Sequence, residues 1–111
     1  MVKPSTAKAK GRDTENLWVE WLRSHGWPDA ERRRLNGNTD LGDIAGVPDT
    51  TIEVKSAAIW TPVQWLRELD AEMVNTGDRH GYVIARPKGK PDPDDWVVLM
   101  RPAHLLKLLE R

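Results

Sequence analysis

The order of elements between residues 51 and 85 constrains the fold more than any other feature of the sequence. A strand is predicted over 51–57, because apolar and polar side chains alternate there with a period of two. An amphipathic helix follows over 61–76, and an apolar run predicts a buried strand over 81–85. Two strands of one sheet that are joined by a crossover helix run parallel. The segment therefore predicts an α/β fold.

The remaining elements add a helix near each end of the chain and further strands. Asp13 is the expected N-cap of the first helix, and Gly26 followed by Pro28 ends it. The other predicted elements are a helix over 13–25, a strand or a loop over 30–35, a turn over 36–38, a hairpin strand over 43–46, a strand over 96–100 and a helix over 103–109. The expected fold class is a single α/β domain with a central mixed β-sheet flanked by α-helices.

Composition excludes several kinds of protein. The absence of Cys excludes disulfides and thiolate metal sites, and no apolar run reaches the about 18 residues of a membrane span. A cytoplasmic location is expected, in the organism's own cell or in that of a host. The first twelve residues contain four basic side chains and no acid, which predicts a flexible basic tail over 1–11 before a domain over 12–111.

Charge is balanced in total but not along the chain. The 17 basic and 17 acidic side chains give a formal net charge of zero. Residues 1–34 carry eight basic and five acidic side chains, a net of +3, and residues 35–111 carry nine and twelve, a net of −3. A zero total argues against a strongly basic nucleic-acid binder. The uneven distribution permits a polarised surface with modest, salt-sensitive affinity for DNA.

Three acids and one lysine form the candidate site. Glu53 and Lys55 lie on one face of the predicted strand over 51–57, and Glu15 projects into the apolar side of the first helix. Asp43 shares the face of Glu53 only if the hairpin between them has an odd-numbered loop or a bulge. Carboxylates that converge beside an ammonium group form a hard, oxygen-rich site suited to Mg²⁺ or Mn²⁺.

In chain order, these residues resemble a known family. Gly11-Arg12 and Glu15 are followed by an apolar helix closed by Gly26, by Arg32-Arg-Arg34, by Gly42-Asp43-Ile44 and by Glu53-Val-Lys55. The arrangement resembles the PD-(D/E)XK nuclease superfamily, and more closely the archaeal-type and phage Holliday junction resolvases. The resemblance implies a restriction-endonuclease-like fold, a Mg²⁺-dependent DNA endonuclease in which Mn²⁺ can substitute, and a symmetric homodimer acting in DNA recombination.

The resemblance also implies residue roles. Asp43 and Glu53 would hold the metal together with the backbone carbonyl of Val54, and Glu15 would bind or orient the metal from the helix. Lys55 would position the attacking water, so the implied catalytic set is Glu15, Asp43, Glu53 and Lys55. Hydrolysis would leave a 5′-phosphate and a 3′-hydroxyl.

Some assignments have alternatives. The implied DNA-binding residues are Arg12, Arg32, Arg33, Arg34 and Gln64, although Gln64 is equally consistent with an exposed helix position. Asp40 is a rival metal ligand, but Gly42-Asp43-Ile44 fits the motif better and Asp40 is expected in the preceding loop. The substrate is branched DNA in the first interpretation, and nicked, flapped or plain duplex DNA in the second. In a third, the chain is a DNA-binding or assembly module of the same fold without catalysis.

Overall fold

The computed structural model describes residues 4–34, 37 and 39–110, with side chains from Lys10 onward. Leu35, Asn36 and Asn38, which include most of the predicted turn, lie outside the described residues, as do Met1–Lys3 and Arg111. The elements are α1 (Pro4–Ser24), β1 (Glu31–Arg32), β2 (Ile44–Ala45), β3 (Thr50–Lys55), α2 (Pro62–Thr76), β4 (His80–Ala85), a 3₁₀ turn (Pro93–Asp95), β5 (Val97–Leu99) and α3 (Pro102–Leu109).

The first helix begins earlier than the sequence analysis predicted. It starts at Pro4 instead of near Asp13, so it contains the described part of the predicted basic tail. Pro is favoured in the first turn of a helix, and the Ala and Lys residues that follow have high helix propensity. Gly11 costs the helix about 1 kcal/mol but does not end it. Asp13 therefore lies inside the helix and is not its N-cap.

The five strands form one mixed sheet in the order β1-β2-β3-β4-β5. β3 and β4 pair in parallel, with Ile52 opposite Tyr82 and Glu53 opposite Val83, and the other neighbouring pairs are antiparallel. α2 is the crossover helix between the two parallel strands, and it ends at Gly77 in a left-handed conformation. The predicted α/β domain with a mixed central sheet and flanking helices is confirmed.

Two apolar clusters cover the two faces of the sheet. α1 packs Trp18, Val19 and Leu22 onto a face that includes Ile44, Ile52 and Ile84. α2 packs Trp65 and Leu69 onto the opposite face, which includes Val83 and Ala85. Because successive side chains of a strand alternate between faces, Glu53 and Lys55, which pair with Val83 and Ala85, point toward α2. The position of α2 therefore decides what surrounds the candidate site.

Within the described part of the chain, no helix combines the length and the apolar character needed to cross a bilayer. The longest, α1, has 21 residues, but charged side chains recur along it.

Candidate metal centre

The hairpin of β2 and β3 places Asp43 beside Glu53. Ile44 pairs with Ile52, and the backbone N–H of Asp43 donates to the carbonyl of Ile52 at 2.8 Å. The carboxyl groups of Asp43 and Glu53 are within hydrogen-bond reach of each other, so the two side chains lie together on the sheet. Asp43 Oδ2 also accepts a hydrogen bond of 2.8 Å from the backbone N–H of Val54. Seven residues, an odd number, separate the paired Ile44 and Ile52, as a shared face for Asp43 and Glu53 requires.

The loop before β2 brings another carboxylate to the same place. Asp40 Oδ1 accepts a hydrogen bond of 3.0 Å from the N–H of Gly42, and the Asp40 carbonyl accepts one of 2.9 Å from the amide of Asn75 on α2. Gly42 has φ 90°, and a Cβ there would lie 2.9 Å from the carbonyl oxygen of Ile52. Only glycine lets the loop pass so close to β3, and this close approach fixes Asp40 and Asp43 on either side of it.

α2 contributes Glu72, a carboxylate buried against the sheet. Glu72 retains 3% of its exposure, the value of a core residue, although it carries a carboxyl group. Neither of its oxygens has a hydrogen-bond donor among the described residues, and Glu53 Oε2 is equally unpartnered. A buried carboxylate without a partner is costly, so three such oxygens in one place need either protons or a cation.

Three of these carboxylates have the spacing of metal ligands. One oxygen each from Asp40, Glu53 and Glu72 lies within 4.8 Å of the other two. Oxygens bound to one Mg²⁺ at about 2.1 Å are at most about 4.2 Å apart, so small side-chain movements suffice to bind the ion. This acidic trio is capable of holding a metal ion.

The carboxyl groups of the site have raised pKa values. Burial, reinforced by the charge of Glu53, raises the pKa of Asp43 to about 8, although the Val54 N–H opposes the shift. Burial and the neighbouring carboxyl group of Glu72 raise the pKa of Glu53 to about 9. Burial also raises the pKa of Glu72 to about 7, with a contribution from the charge of Asp40. Without a cation, the cluster therefore retains protons near neutral pH.

Lys55 is held by an acid of α2 more closely than by Glu53. Its Nζ lies 2.7 Å from Glu68 Oε2 and 3.9 Å from Glu53 Oε1. Burial lowers the pKa of Lys55, but the bond to Glu68 and the charge of Glu53 outweigh it, and the pKa lies above its usual value. Lys55 is therefore a cation at neutral pH, and Glu68 fixes its position.

Glu15 lies on the α1 side of the sheet. Its Oε1 accepts a hydrogen bond of 2.8 Å from Nε of Arg32, whose strand position pairs with Ile44 on the face covered by α1. The charge of Glu15 still raises the pKa of Asp43, as the smallest of its causes, so the two carboxylates interact across the edge of the sheet. Glu15 is not part of the acidic trio.

The predicted DNA-binding residues do not form one cluster of exposed groups. Arg12, Arg34 and Gln64 are exposed, on α1, after β1 and on α2 respectively. Arg32 is engaged by Glu15. Arg33 is half-buried: its N–H donates to the carbonyl of Asp43 at 2.8 Å, and its guanidinium reaches the carbonyl of Ile44 at 3.4 Å.

Residue spacing did not identify Glu72 as a candidate ligand and favoured Asp43 over Asp40. A signal for Glu72 was present, because it lies three residues after Leu69 and thus on the apolar stripe of α2. The same reasoning that singled out Glu15, an acid on an apolar helix face, applies to it. Asp40 does lie in the loop before β2, as expected, but a carboxylate oxygen of Asp40 lies within 4.8 Å of one from Glu72 on α2.

Comparisons of the chain with protein-family models, with curated proteins and with solved structures found no match.

Proposed function

We propose that this chain is a Mg²⁺-dependent DNA endonuclease of the PD-(D/E)XK type with a restriction-endonuclease-like fold. Mn²⁺ would substitute for Mg²⁺. The observation that carries the proposal is the hairpin of β2 and β3, which brings Asp43 beside Glu53. Lys55 lies on the same face of β3 as Glu53, next to buried carboxylates without partners among the described residues. The mixed sheet with a parallel pair at β3 and β4 also supports it.

The donor set fits a hard divalent cation. Every side-chain ligand available in the site is a carboxylate oxygen, and Mg²⁺ and Mn²⁺ prefer oxygen ligands. Asp43 and Glu53 would hold the ion together with the carbonyl of Val54. A bound divalent cation offsets the negative charge that develops on a phosphate under attack and favours hydroxide near neutral pH.

The protein's own groups would orient the reaction. Lys55 is kept charged and in place by Glu68, so its ammonium is available to orient the attacking water and the scissile phosphate. Attack in line with the leaving oxygen would give a 5′-phosphate and a 3′-hydroxyl. Glu15 would act on the site from the α1 side in two ways. Its charge raises the pKa of Asp43, and its carboxylate positions Arg32 by accepting a hydrogen bond from it.

The proposed substrate is branched DNA, as for the Holliday junction resolvases that the chain resembles, and the proposed active form is a homodimer. Arg12, Arg34 and Gln64 are the exposed candidates for phosphate contacts. Binding should weaken steeply with salt, because phosphate contacts release counterions.

The test is cleavage of labelled four-way junctions, flaps, nicked duplex and plain duplex in Mg²⁺, Mn²⁺ or EDTA. The wild type should nick the junction symmetrically, and Asp43→Asn, Glu53→Gln and Lys55→Ala should each lose activity by about 10²-fold or more. Glu20→Gln, an exposed acid on α1, is the matched control and should cleave normally.

Circular dichroism and urea unfolding establish that each variant is folded. Full activity in any of the three site variants would overturn the residue assignment. Cleavage of flaps or plain duplex in preference to the junction would replace the proposed substrate and leave the chemistry intact. Binding to DNA without cleavage in either metal would mean a DNA-binding module without catalysis.

A further inference from the structure

We propose that a cleft at the carboxyl end of the parallel strands binds a phosphate monoester, carried by a nucleotide or by the end of a nucleic acid strand. The cleft has a volume of about 420 Å³ and lies between α1, the segment after β3 and the loop after β4. Its walls include none of the three acids of the acidic trio. The inference depends neither on a bound metal nor on cleavage.

The cleft lies where α/β sheets commonly bind ligands. β3 and β4 run parallel and end at Lys55 and Ala85, and the backbone N–H of Arg86 donates to the carbonyl of Lys55 at 2.9 Å. Ser56 and Arg86, the first residues beyond the two strands, both line the cleft. In open α/β sheets, ligands bind in the crevice outside the carboxyl ends of the strands. The volume also falls within the range of about 300–1,000 Å³ that is usual for small-molecule pockets.

The charge of the walls suits a dianion. Lys10, Arg86 and Lys88 line the cleft together with one acid, Asp13, which gives a net charge of +2. Lys10 and Lys88 are exposed, and neither forms an ion pair with another described residue. A phosphate monoester carries a charge of about −1.5 to −2 at neutral pH, whereas a backbone phosphodiester carries a single negative charge. The cleft therefore matches a terminal phosphate better than an internal one.

Arg86 is held in place before any ligand arrives. Its Nη1 donates to Asp13 Oδ2 at 3.1 Å and to Thr14 Oγ1 at 3.2 Å, and its Nε donates to the carbonyl of Lys90 at 3.1 Å. The guanidinium also lies 5.7 Å from the ring centroid of Trp96. These bonds use Nε and Nη1 and leave Nη2 for a ligand. A guanidinium that is already immobilised loses little entropy on binding an anion and donates to it in a fixed direction.

The same contacts close the loop that carries Lys88. The carbonyl of Lys90 accepts hydrogen bonds from Arg86 and, at 2.8 Å, from the indole N–H of Trp96. Gly89 has φ 76°, a left-handed conformation that glycine adopts without strain. The loop is therefore a tight turn, which holds the backbone of Lys88 at the cleft while its ammonium remains in solvent.

The experiment measures the binding of internally labelled single-stranded oligonucleotides to the full-length protein by fluorescence anisotropy. The strands have one sequence and carry a 5′-phosphate, a 3′-phosphate or no terminal phosphate. EDTA is present throughout, so that neither cleavage nor phosphate binding through a metal contributes. The wild type should bind a strand with a terminal phosphate about tenfold more tightly than the strand without one.

Lys10→Gln and Lys88→Gln should each reduce this preference about threefold, as is usual for one exposed charge, and the double variant should abolish it. Lys107→Gln, which removes an exposed lysine of α3, is the matched control and should keep the preference. Calorimetry with thymidine 5′-monophosphate and with thymidine makes the same comparison for a free nucleotide. Preferential binding of the monophosphate would assign the cleft to nucleotides, and a preference seen only with strands would assign it to strand ends.

Two results would overturn the inference. One is the absence of a phosphate preference in both comparisons, and the other is a preference that survives in the double variant. The cleavage assay is independent of these measurements. A terminal-phosphate preference in a protein that cleaves no DNA would refute the proposed nuclease and uphold the cleft, and cleavage without the preference would do the reverse.

Discussion

Substitution of Glu72 by Gln should reduce the dependence of stability on pH in the metal-free protein. The pKa of Glu72 rises from 4.5 to about 7 on folding, so between these values the folded state binds more protons than the unfolded state. The free energy of unfolding therefore falls as the pH rises through this range. Gln occupies nearly the same volume and has no charge, so the variant loses this contribution.

The size of the effect follows from the pKa shift. At about 1.4 kcal/mol per pKa unit, a shift from 4.5 to about 7 corresponds to about 3 kcal/mol, most of which falls between pH 5 and pH 8. Glu72 is almost entirely buried, so screening by solvent reduces this free energy only slightly. The charge of Glu72 also raises the pKa of Glu53, and removing it lowers that second contribution as well.

Urea unfolding in EDTA at pH 5 and pH 8 measures the effect as a difference of differences. The wild type should lose more stability between the two pH values than Glu72→Gln, by about 2 kcal/mol or more, and the control Glu20→Gln should behave as the wild type. Saturating Mg²⁺ at pH 8 should restore about 3 kcal/mol to the wild type when it exceeds its dissociation constant a hundredfold. If the stability of the wild type and of Glu72→Gln depended equally on pH, folding would not raise the pKa of Glu72 as described.

Three further predictions concern neighbouring parts of the structure. Glu68→Gln should lower the pKa of Lys55, because the hydrogen bond to Glu68 contributes to raising it. NMR titration of the lysine side chain measures this pKa, and an unchanged value would show that Glu68 does not position Lys55. Gly42→Ala should weaken Mn²⁺ binding at least tenfold by forcing the loop off β3, whereas Gly37→Ala, with a similar positive φ but open space around it, should not. Ile52→Ala should lower the free energy of unfolding by about 2–5 kcal/mol in urea titrations, since the side chain is fully buried between α1 and the sheet; a loss below about 1 kcal/mol would mean that the core is packed otherwise.

The sequence predicted the fold well where local signals agreed with the sheet. The helix predicted over 61–76 occurs as Pro62–Thr76, because Pro62 begins it and Gly77 ends it. The parallel pairing of β3 and β4 followed from the crossover. The predicted start of α1 was wrong. Asp13 has the character of an N-cap, but the residues before it also favour a helix.

The site was predictable only in part. Asp43 and Glu53 could be paired because a hairpin has few registers, and Lys55 follows from strand alternation. The contribution of α2 depends on how the helix is rotated over the sheet, which puts Glu72 into the cluster and Glu68 onto Lys55. Glu15 was assigned to the metal because it lies on the apolar side of the first helix. In the structure its carboxylate accepts a hydrogen bond from Arg32. Long-range packing of this kind has no signal in residue spacing alone.

The way the parallel pair is connected has a consequence for the order of folding. Asp43 and Glu53 are ten residues apart and meet when a hairpin closes, an event of microseconds, whereas Glu72 arrives only when α2 has crossed over and β4 has docked. The last assembly step thus brings together carboxyl groups that must either keep their protons or bind a cation. A divalent cation bound to these carboxyl groups should act late in folding. We expect it to slow unfolding strongly and to have less effect on the rate of hairpin closure. A bound metal would then slow the detachment of the crossover helix α2 from the sheet.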